Sequence, residues 1–333
     1  MPKAPTSKDV ARAAGVSQST VSYVMSGKRP ISEKTRRRVE DAIARLTYQP
    51  HAGARALAGH RTNAIAVIMP FRSASTAQRL MAFVEEITLA ARHRDHDVLL
   101  VTADEGPDGM RRVVGRSLCD AVLVMEVGAA DERTDIAREL DLPVIFIGVP
   151  DDSDGLDCID FDFESAGELL VDELAALGHR TIDVLGWGPD VVAQRFNYVP
   201  RFARGVERAG HEHGTGVSWH HVPDGGDVRP VLERALADQE GRPGLLLVTA
   251  VPETMRALSE LGLSPGRDAD VVALSTDHEA REQALTAVST QPRDVSRRVM
   301  ERLFTLLDRD APTARAIELV PATLVRRAST ERR

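Results

Sequence analysis

The chain has 333 residues, which is two or three times a typical domain length, and its 43% hydrophobic and 28% charged residues are typical of a folded globular protein. Its charge is uneven: residues 1–62 carry 12 Lys/Arg against 4 Asp/Glu, a net of +8, whereas the remaining residues carry 30 against 46, a net of −16. The apolar runs are too short for a ~20-residue membrane helix, the N-terminus lacks the apolar segment of a secretory signal, and two cysteines without a CxxC pattern exclude a disulfide framework or a zinc finger. We therefore expect a cytoplasmic protein with reduced thiols, without metal or cofactor, whose basic N-terminal part alone meets a polyanion.

The first predicted helix follows Thr6, which can act as its N-cap. Asp9 then takes the capping-box position, where Glu or Gln is more usual. Gly15 ends this helix, because glycine adopts the left-handed conformation of a sharp turn without strain. The buried stripe of the helix is predicted to be Val10, Ala13 and Ala14.

Two more helices follow in the basic segment. Ser17 is predicted to cap a helix from Gln18 to about Met25, and Ser32 a third helix. A helix, a glycine turn and a second helix at this spacing indicate a helix-turn-helix, and three such helices can share one small core.

The exposed side chains of the second helix are suited to reading base edges, and several neighbours are suited to phosphate. The candidate base readers are Gln18, Ser19, Ser22 and Tyr23. The candidate phosphate contacts are Thr6, Ser7, Ser17, Thr20, Lys34 and Arg36. Residues 36–38 are all arginine, and we expect a mixture of phosphate contacts and solvated side chains there. The alternative is a basic three-helix module that binds a protein partner.

The segment SKDVARAAGVSQSTVSYVMSG…ISEKTRRRVEDAIARLTYQPHAGARALAG closely resembles the DNA-binding head of the lactose-repressor (LacI/GalR) family. The resemblance runs without gaps through about the first 60 residues. It implies that the start of the second helix reads bases, and by position the readers are Gln18, Ser19 and Tyr23. Arg or His often stands in the family where this chain has Tyr23.

The segment HAGARALAG, residues 51–59, is too short for a stable isolated helix and contains Gly53. We expect it to be disordered away from DNA and helical on DNA. The resemblance implies a hinge helix that enters the minor groove, where Leu57 wedges into the central base step and Ala54 and Arg55 precede it. The alternative is a plain interdomain linker.

From residue 62 onward, short apolar strands alternate with amphipathic helices, which predicts parallel sheets covered by helices. The predicted strands are 64–69, 97–101, 121–125, 143–147, 181–185, 217–221, 244–249 and 269–274. The predicted helices are 80–92, 165–177, 201–209, 228–238, 253–261 and 293–307. The length of this part favours two α/β lobes around a cleft, with one large doubly wound sheet as the alternative.

The resemblance continues more weakly to the C-terminus and implies a periplasmic-binding-protein-like body, with crossovers near residues 161, 291 and 321. The expected domains are the head (1–50), the hinge (51–61) and the effector-binding body (62–333). The body's N-lobe is expected at about 62–161 and 292–320, and its C-lobe at about 162–291 and 321–330.

Three polar residues match the family's effector contacts by position: Asp162, Arg201 and Asp277. Phe163 and Val251 stand where the family has polar residues, so part of a sugar-binding set is missing. Arg201 and Asp277 could instead form a structural ion pair.

The sequence therefore predicts a dimeric repressor of a catabolic or sugar-utilisation operon. It would bind a palindromic operator in double-stranded DNA and be released by a small-molecule effector, a sugar by resemblance. The alternatives are a ligand-independent repressor with a degenerate pocket, a sugar-binding receptor, or an enzyme that uses the α/β body. No nucleotide-binding or nucleophile motif supports an enzyme.

Overall fold

The computed structural model describes residues 5–26, 29–48, 61–70, 74–237, 241–308 and 314–331. Two compact units divide the chain, Met1–Thr62 and Asn63–Arg333. We call the first unit the head and the second the body. Among the described residues, no helix is long and apolar enough to cross a membrane.

The head contains three described helices, α1 (Ser7–Ala14), α2 (Gln18–Ser26) and α3 (Glu33–Leu46). The predicted capping box at the start of α1 is confirmed, because Thr6 and Asp9 bond each other's backbone N–H groups. Gly15 has φ 61°, as its predicted turn requires, and a Cβ there would lie 2.7 Å from the Arg38 guanidinium. Any other residue would therefore be strained and crowded at this turn.

The core of the head is small and lies between the three helices. Its buried members are Val10, Ala11, Ala14, Val21, Val39, Ala42 and Tyr48. The predicted stripe of α1 was wrong at one position, because Ala13 is exposed and Ala11 is buried instead. Since α1 packs against both α2 and α3, its buried arc widens on the side of Ala11.

The body contains two six-stranded sheets within the described residues, which confirms the two-lobe prediction against one large sheet. The N-lobe sheet has the order β11-β5-β4-β3-β1-β2 and is parallel throughout. The C-lobe sheet has the order β12-β10-β9-β8-β6-β7, in which only β12 is antiparallel to its neighbour. The strands are β1 (Ala64–Met69), β2 (Asp97–Thr102), β3 (Ala121–Val124), β4 (Val144–Ile147), β5 (Asp157–Phe161), β6 (Thr181–Trp187), β7 (Gly216–Val222), β8 (Gly244–Leu247), β9 (Asp270–Ser275), β10 (Thr286–Ser289), β11 (Ile317–Val320) and β12 (Leu324–Val325).

Helices cover these sheets. They are α4 (Ala74–Arg92), α5 (Gly106–Gly115), α6 (Arg133–Glu139), α7 (Phe163–Ala176), α8 (Pro189–Ala193), α9 (Tyr198–His213), α10 (Arg229–Ala237), α11 (Val251–Glu260), α12 (Asp277–Glu282) and α13 (Pro292–Leu307). Helices α4 and α13 pack on each other and on the N-lobe sheet, whereas α7 and α9 pack on each other and on the C-lobe sheet. Within the described residues the chain changes sheet after β5, between β10 and β11, and between β11 and β12.

Strand β5 was missed by the sequence pattern because two aspartates interrupt its apolar run. Both aspartates are buried and paired with arginines that are distant in the chain. Asp157 accepts hydrogen bonds from Arg302 and Arg315, and Asp160 accepts one from Arg201. A strand can bury these charges only because the tertiary structure brings the arginines to it.

Candidate DNA interface and interlobe cleft

Helix α2 presents exposed polar side chains at its first turns, where a recognition helix meets base edges. Gln18, Ser19 and Ser22 are exposed, whereas Tyr23 is half-buried. The Gln18 side-chain amide donates to the Ser7 hydroxyl at 2.8 Å, which joins the first turns of α2 and α1. The arrangement places hydrogen-bonding groups on one open face of a basic unit.

Four of the six predicted phosphate contacts fall into two groups. Thr6 and Ser17 act as helix caps: the Thr6 hydroxyl donates to Asp9 at 2.6 Å, and Ser17 Oγ accepts from the backbone N–H of Thr20 at 3.1 Å. Lys34 and Arg36 are exposed on α3. The caps fix the helix ends, and the two exposed cations supply positive charge.

Arg38 makes a contact that the sequence analysis did not assign. Its guanidinium donates to the carbonyl oxygens of Ala14 at 2.5 Å and Gly15 at 3.3 Å. These are carbonyls at the end of α1, where a helix has no internal donors left and where positive charge is favourable. Arg38 therefore stabilises the helix-turn-helix itself. The arginines at 36–38, which were expected to be phosphate contacts or solvated side chains, thus include one with a structural role.

Tyr23 lies beside a cation that sequence spacing did not reveal. The guanidinium carbon of Arg29 is 5.1 Å from the centre of the Tyr23 ring, a cation–π distance.

The predicted hinge contacts Ala54, Arg55 and Leu57 lie outside the described residues. The predicted change from disorder to helix in residues 51–59 lies outside them as well.

The two lobes of the body are joined by backbone hydrogen bonds between two loops. The loop after β3 and the loop before α9 form an antiparallel bridge between Gly128 and Phe196. The Ala129 N–H donates to the Arg195 carbonyl at 3.1 Å, and the Asn197 N–H donates to the Val127 carbonyl at 3.0 Å. These bonds hold the N-lobe and C-lobe close to one another at this point.

Arg201, the predicted effector contact, is buried and bonded to the other lobe. Its Nη1 donates to Asp160 Oδ2 at 2.5 Å, so that α9 of the C-lobe is tied to β5 of the N-lobe. Burial raises the pKa of Asp160 to about 6, although Arg201 and the Phe161 N–H act to lower it; Glu126 adds to the rise. The hydrogen bonds and the positive charge around Asp160 therefore compensate only part of the cost of burying its negative charge.

In a second buried pair, Asp131 with Arg133, the pKa of the carboxyl group is lowered and not raised. Asp131 accepts two guanidinium N–H bonds from Arg133, at 2.8 and 2.6 Å, and two backbone N–H bonds from Gly128 and Arg133. Burial acts to raise the pKa of Asp131, but these hydrogen bonds outweigh burial and hold the pKa below its usual range. Both residues belong to the N-lobe, and the Gly128 that donates to Asp131 is the residue that forms the bridge with Phe196 of the C-lobe.

The other two predicted effector contacts, Asp162 and Asp277, each have partners within the chain. Asp162 caps α7, where it accepts from the Ser165 N–H at 3.2 Å and the Ser165 hydroxyl at 2.7 Å. Asp277 pairs with Arg327 at 3.0 Å and with Arg281 at 2.8 Å. In the described part of the chain, no hydrogen bond or ion pair joins Asp162, Arg201 and Asp277 to one another, so the suggested Arg201–Asp277 ion pair does not form.

A cavity of about 210 Å³ lies where β1, β2 and β3 end and where the loop before α9 approaches. It is small beside the ~300–1,000 Å³ pockets that hold drug-sized ligands. Its lining contains carboxylates, a guanidinium, an amide and an aromatic wall: Pro70, Ala103, Gly106, Pro107, Glu126, Gly128, Ala130, Asp131, Glu132, Arg133, Gln194 and Phe196. None of the three predicted effector contacts lines it.

A basic helix-turn-helix unit followed by a two-sheet α/β body with a cleft defines the class of DNA-binding regulators built on a periplasmic-binding-protein-like fold. Residues 6–51 match the family described as bacterial regulatory proteins, lacI family, and residues 62–243 match periplasmic binding proteins and sugar binding domain of LacI family. Residues 171–330 match a periplasmic binding protein-like domain. The chain belongs to the LacI family.

Among curated relatives, catabolite control protein A of Staphylococcus xylosus is 29% identical over 181 residues, which are 54% of this chain and 54% of that protein. The chain therefore spans about half the length of the curated relatives it matches. The lac repressor dimer bound to operator and the anti-inducer ONPF superposes with TM-score 0.80 at 24% identity, over 99% of this chain and 100% of that one. The transcriptional regulator CelR–cellobiose complex superposes with TM-score 0.64 at 22% identity, over 98% and 99%. These two structures are similar to the chain in fold.

Proposed function

We propose that this protein is a sequence-specific DNA-binding transcriptional repressor of a catabolic or sugar-utilisation operon. The observation that carries the proposal is the exposed first turns of α2, where Gln18, Ser19 and Ser22 stand on a basic helix-turn-helix unit. Membership of the LacI family supports it. A repressor of this kind acts in the cytoplasm, where DNA is accessible, and is not an enzyme.

Each head would read one half-site in the major groove, with Gln18, Ser19, Ser22 and Tyr23 as base contacts. The phosphate contacts, which set the register, would be Thr6, Ser7, Ser17, Thr20, Lys34 and Arg36. A homodimer then requires a palindromic operator. The paired hinges, residues 51–61, would read the centre of that operator through Leu57, with Ala54 and Arg55 beside it.

The body would carry the effector response, with lobe boundaries near residues 161, 291 and 321. Phe196 offers the cavity an apolar wall, and Gln194 and the carboxylates offer hydrogen-bonding groups. Such a lining suits a small hydroxyl-rich molecule such as a sugar. Binding of such a molecule would change the angle between the lobes. That change would alter the spacing of the two hinges in the dimer, and the repressor would be released from DNA.

The test is selection of bound duplexes from a random library, followed by affinity measurement on the selected site and on random duplex at the same salt concentration. We expect a palindromic consensus with at least about 10³-fold preference over random duplex. Equal affinity for both duplexes would contradict the proposal.

A second candidate is a repressor that needs no effector. It is favoured by the Arg201–Asp160 pair, which links the two lobes through the chain's own side chains. Titration of the protein–operator complex with a panel of sugars separates the two candidates, because only an effector-responsive repressor dissociates.

A further inference from the structure

Arg29, in the segment between α2 and α3, is an exposed arginine that the sequence analysis did not assign. Its guanidinium carbon lies 5.1 Å from the centre of the Tyr23 ring on α2. We propose that Arg29 is a further base-reading residue of the head, held in position by Tyr23, and that it recognises a guanine in each operator half-site. The recognition of guanine rests on the proposed function; the stacking of Arg29 on Tyr23 does not.

The stacked guanidinium lies beside the face of α2 that carries the other candidate base readers. Tyr23 follows Ser22 and is four residues after Ser19, so Ser19 and Tyr23 are neighbours on one face of the helix. Ser19 and Ser22 are exposed, and the half-buried Tyr23 has the Arg29 guanidinium over its ring. Arg29 therefore adds a cation to this face, although it is not part of α2.

The hydrogen-bond donors of Arg29 are not used within the described part of the head. Four other arginines there are bonded to a carboxylate or to a backbone carbonyl: Arg12, Arg37, Arg38 and Arg45. Among the described residues, no carboxylate or carbonyl bonds to Arg29. A guanidinium stacked on an aromatic ring keeps its N–H donors for partners in its own plane. Arg29 is thus held by a ring while its donors remain available.

A guanidinium held in one orientation is suited to guanine. Its parallel N–H donors match O6 and N7, the two acceptors that guanine presents in the major groove. Stacking on Tyr23 reduces the conformational freedom that a long side chain loses on binding. Pro30 adds to this order, because the residue before a proline is restricted to extended backbone conformations. A point charge is sufficient for a phosphate, whereas guanine recognition requires the fixed plane that the stacked pair provides.

The test compares Arg29→Met with Arg12→Met, which makes the same change at an exposed arginine paired with Asp9. Affinities of the full-length proteins are measured on the selected operator and on its single-base-pair variants at one salt concentration. We expect Arg29→Met to lower the preference for one G·C pair in each half-site by at least about tenfold, and Arg12→Met to leave every preference unchanged.

Two other outcomes would overturn the proposal, and they are distinguishable. If Arg29→Met weakens binding equally on all duplexes, Arg29 contacts phosphate and not a base, while the proposed function stands. If the wild type itself shows no base preference, the proposed function fails together with the role of Arg29.

The role of Tyr23 as a positioning residue is tested at the same base pair. Tyr23→Leu removes the ring and should lose the preference for that G·C pair, whereas Tyr23→Phe keeps the ring and should retain it. The double variant Tyr23→Leu/Arg29→Met should show no larger loss there than Arg29→Met alone, because the two residues act as one unit. Losses that add, or losses at different base pairs, would contradict the proposal.

A measurement without DNA checks the stacking independently of the proposed function. In full-length protein with isotope-labelled arginines, the ring current of Tyr23 should shift the NMR signal of the Arg29 Nε–H group upfield. The signal is assigned by its loss in Arg29→Met. Tyr23→Phe should keep this shift and Tyr23→Leu should abolish it. A signal at the same position in the wild type and Tyr23→Leu would overturn the proposal.

Discussion

Gln18 and Ser7 are joined by a hydrogen bond of 2.8 Å, from the Gln18 side-chain amide to the Ser7 hydroxyl, so that the first turn of α2 is tied to the first turn of α1. The bond orients a side chain whose amide and carbonyl can together recognise adenine. Replacing this bond by hydrogen bonds to water or to a base changes the free energy of folding little, because the bond is exposed to water.

We expect Gln18→Ala to relax base preference at one position of each half-site by about 1–3 kcal/mol, while the fold is retained. Ser7→Ala is the matched control, because it removes the bond but keeps the amide, and its effect on base preference should be smaller. Affinities for single-base variants of the selected operator measure both effects. An unaltered preference in Gln18→Ala would remove Gln18 from the base readers.

Arg36 and Arg38 are two positions apart, yet they should behave differently. Arg38→Ala removes the donor to the Ala14 and Gly15 carbonyls, so we expect α1 to lose about 1 kcal/mol of protection in hydrogen exchange. Arg36→Ala should leave that protection unchanged and reduce the slope of log affinity against log salt by about 1, since one phosphate contact is lost. Loss of protection in Arg36→Ala, or unchanged protection in Arg38→Ala, would show these assignments to be wrong.

Breaking the Asp131–Arg133 pair should be strongly destabilising. Asp131→Ala leaves a buried guanidinium without its carboxylate, and we expect the free energy of unfolding of the body to fall by about 3–5 kcal/mol. Glu301→Ala is the control, because its pair with Arg297 is exposed and should contribute about 0–1 kcal/mol. Denaturant unfolding of both variants checks the contrast, and similar losses in the two would contradict it.

Asp160 should give the body a pH-dependent stability of defined sign. Its pKa in the folded protein is about 6, above the ordinary 3.8, so between these values the folded state binds a proton that the unfolded state does not. The free energy of unfolding therefore falls, through this group, as pH rises from about 4 to about 6, by on the order of 1–3 kcal/mol. Asp160→Asn should remove this fall and leave the slope above pH ~7 unchanged. Denaturant unfolding at a series of pH values tests this, and identical slopes in the wild type and the variant would refute it.

Local sequence signals were sufficient for the elements that depend on local interactions. The capping box of Thr6 and Asp9 and the left-handed turn at Gly15 are decided by residues a few positions apart, so their geometry could be predicted. Strand β1, an uninterrupted apolar run, was predicted with its observed bounds, Ala64–Met69. Alternation of such runs with amphipathic helices was enough to predict the α/β body.

The tertiary structure alone decided which charged residues pair. Sequence patterns cannot show that Asp160 meets Arg201 from 41 positions away, or that Arg38 reaches the end of α1 across 24 positions, because these contacts depend on how helices and strands pack. For the same reason Asp162 turned out to cap a helix and Asp277 to pair with Arg327. The sequence by itself indicated the class of fold and the candidate DNA-reading face, because short-range periodicity and caps encode them, and its resemblance to a known motif indicated the family. The electrostatics of the cleft followed only from long-range contacts.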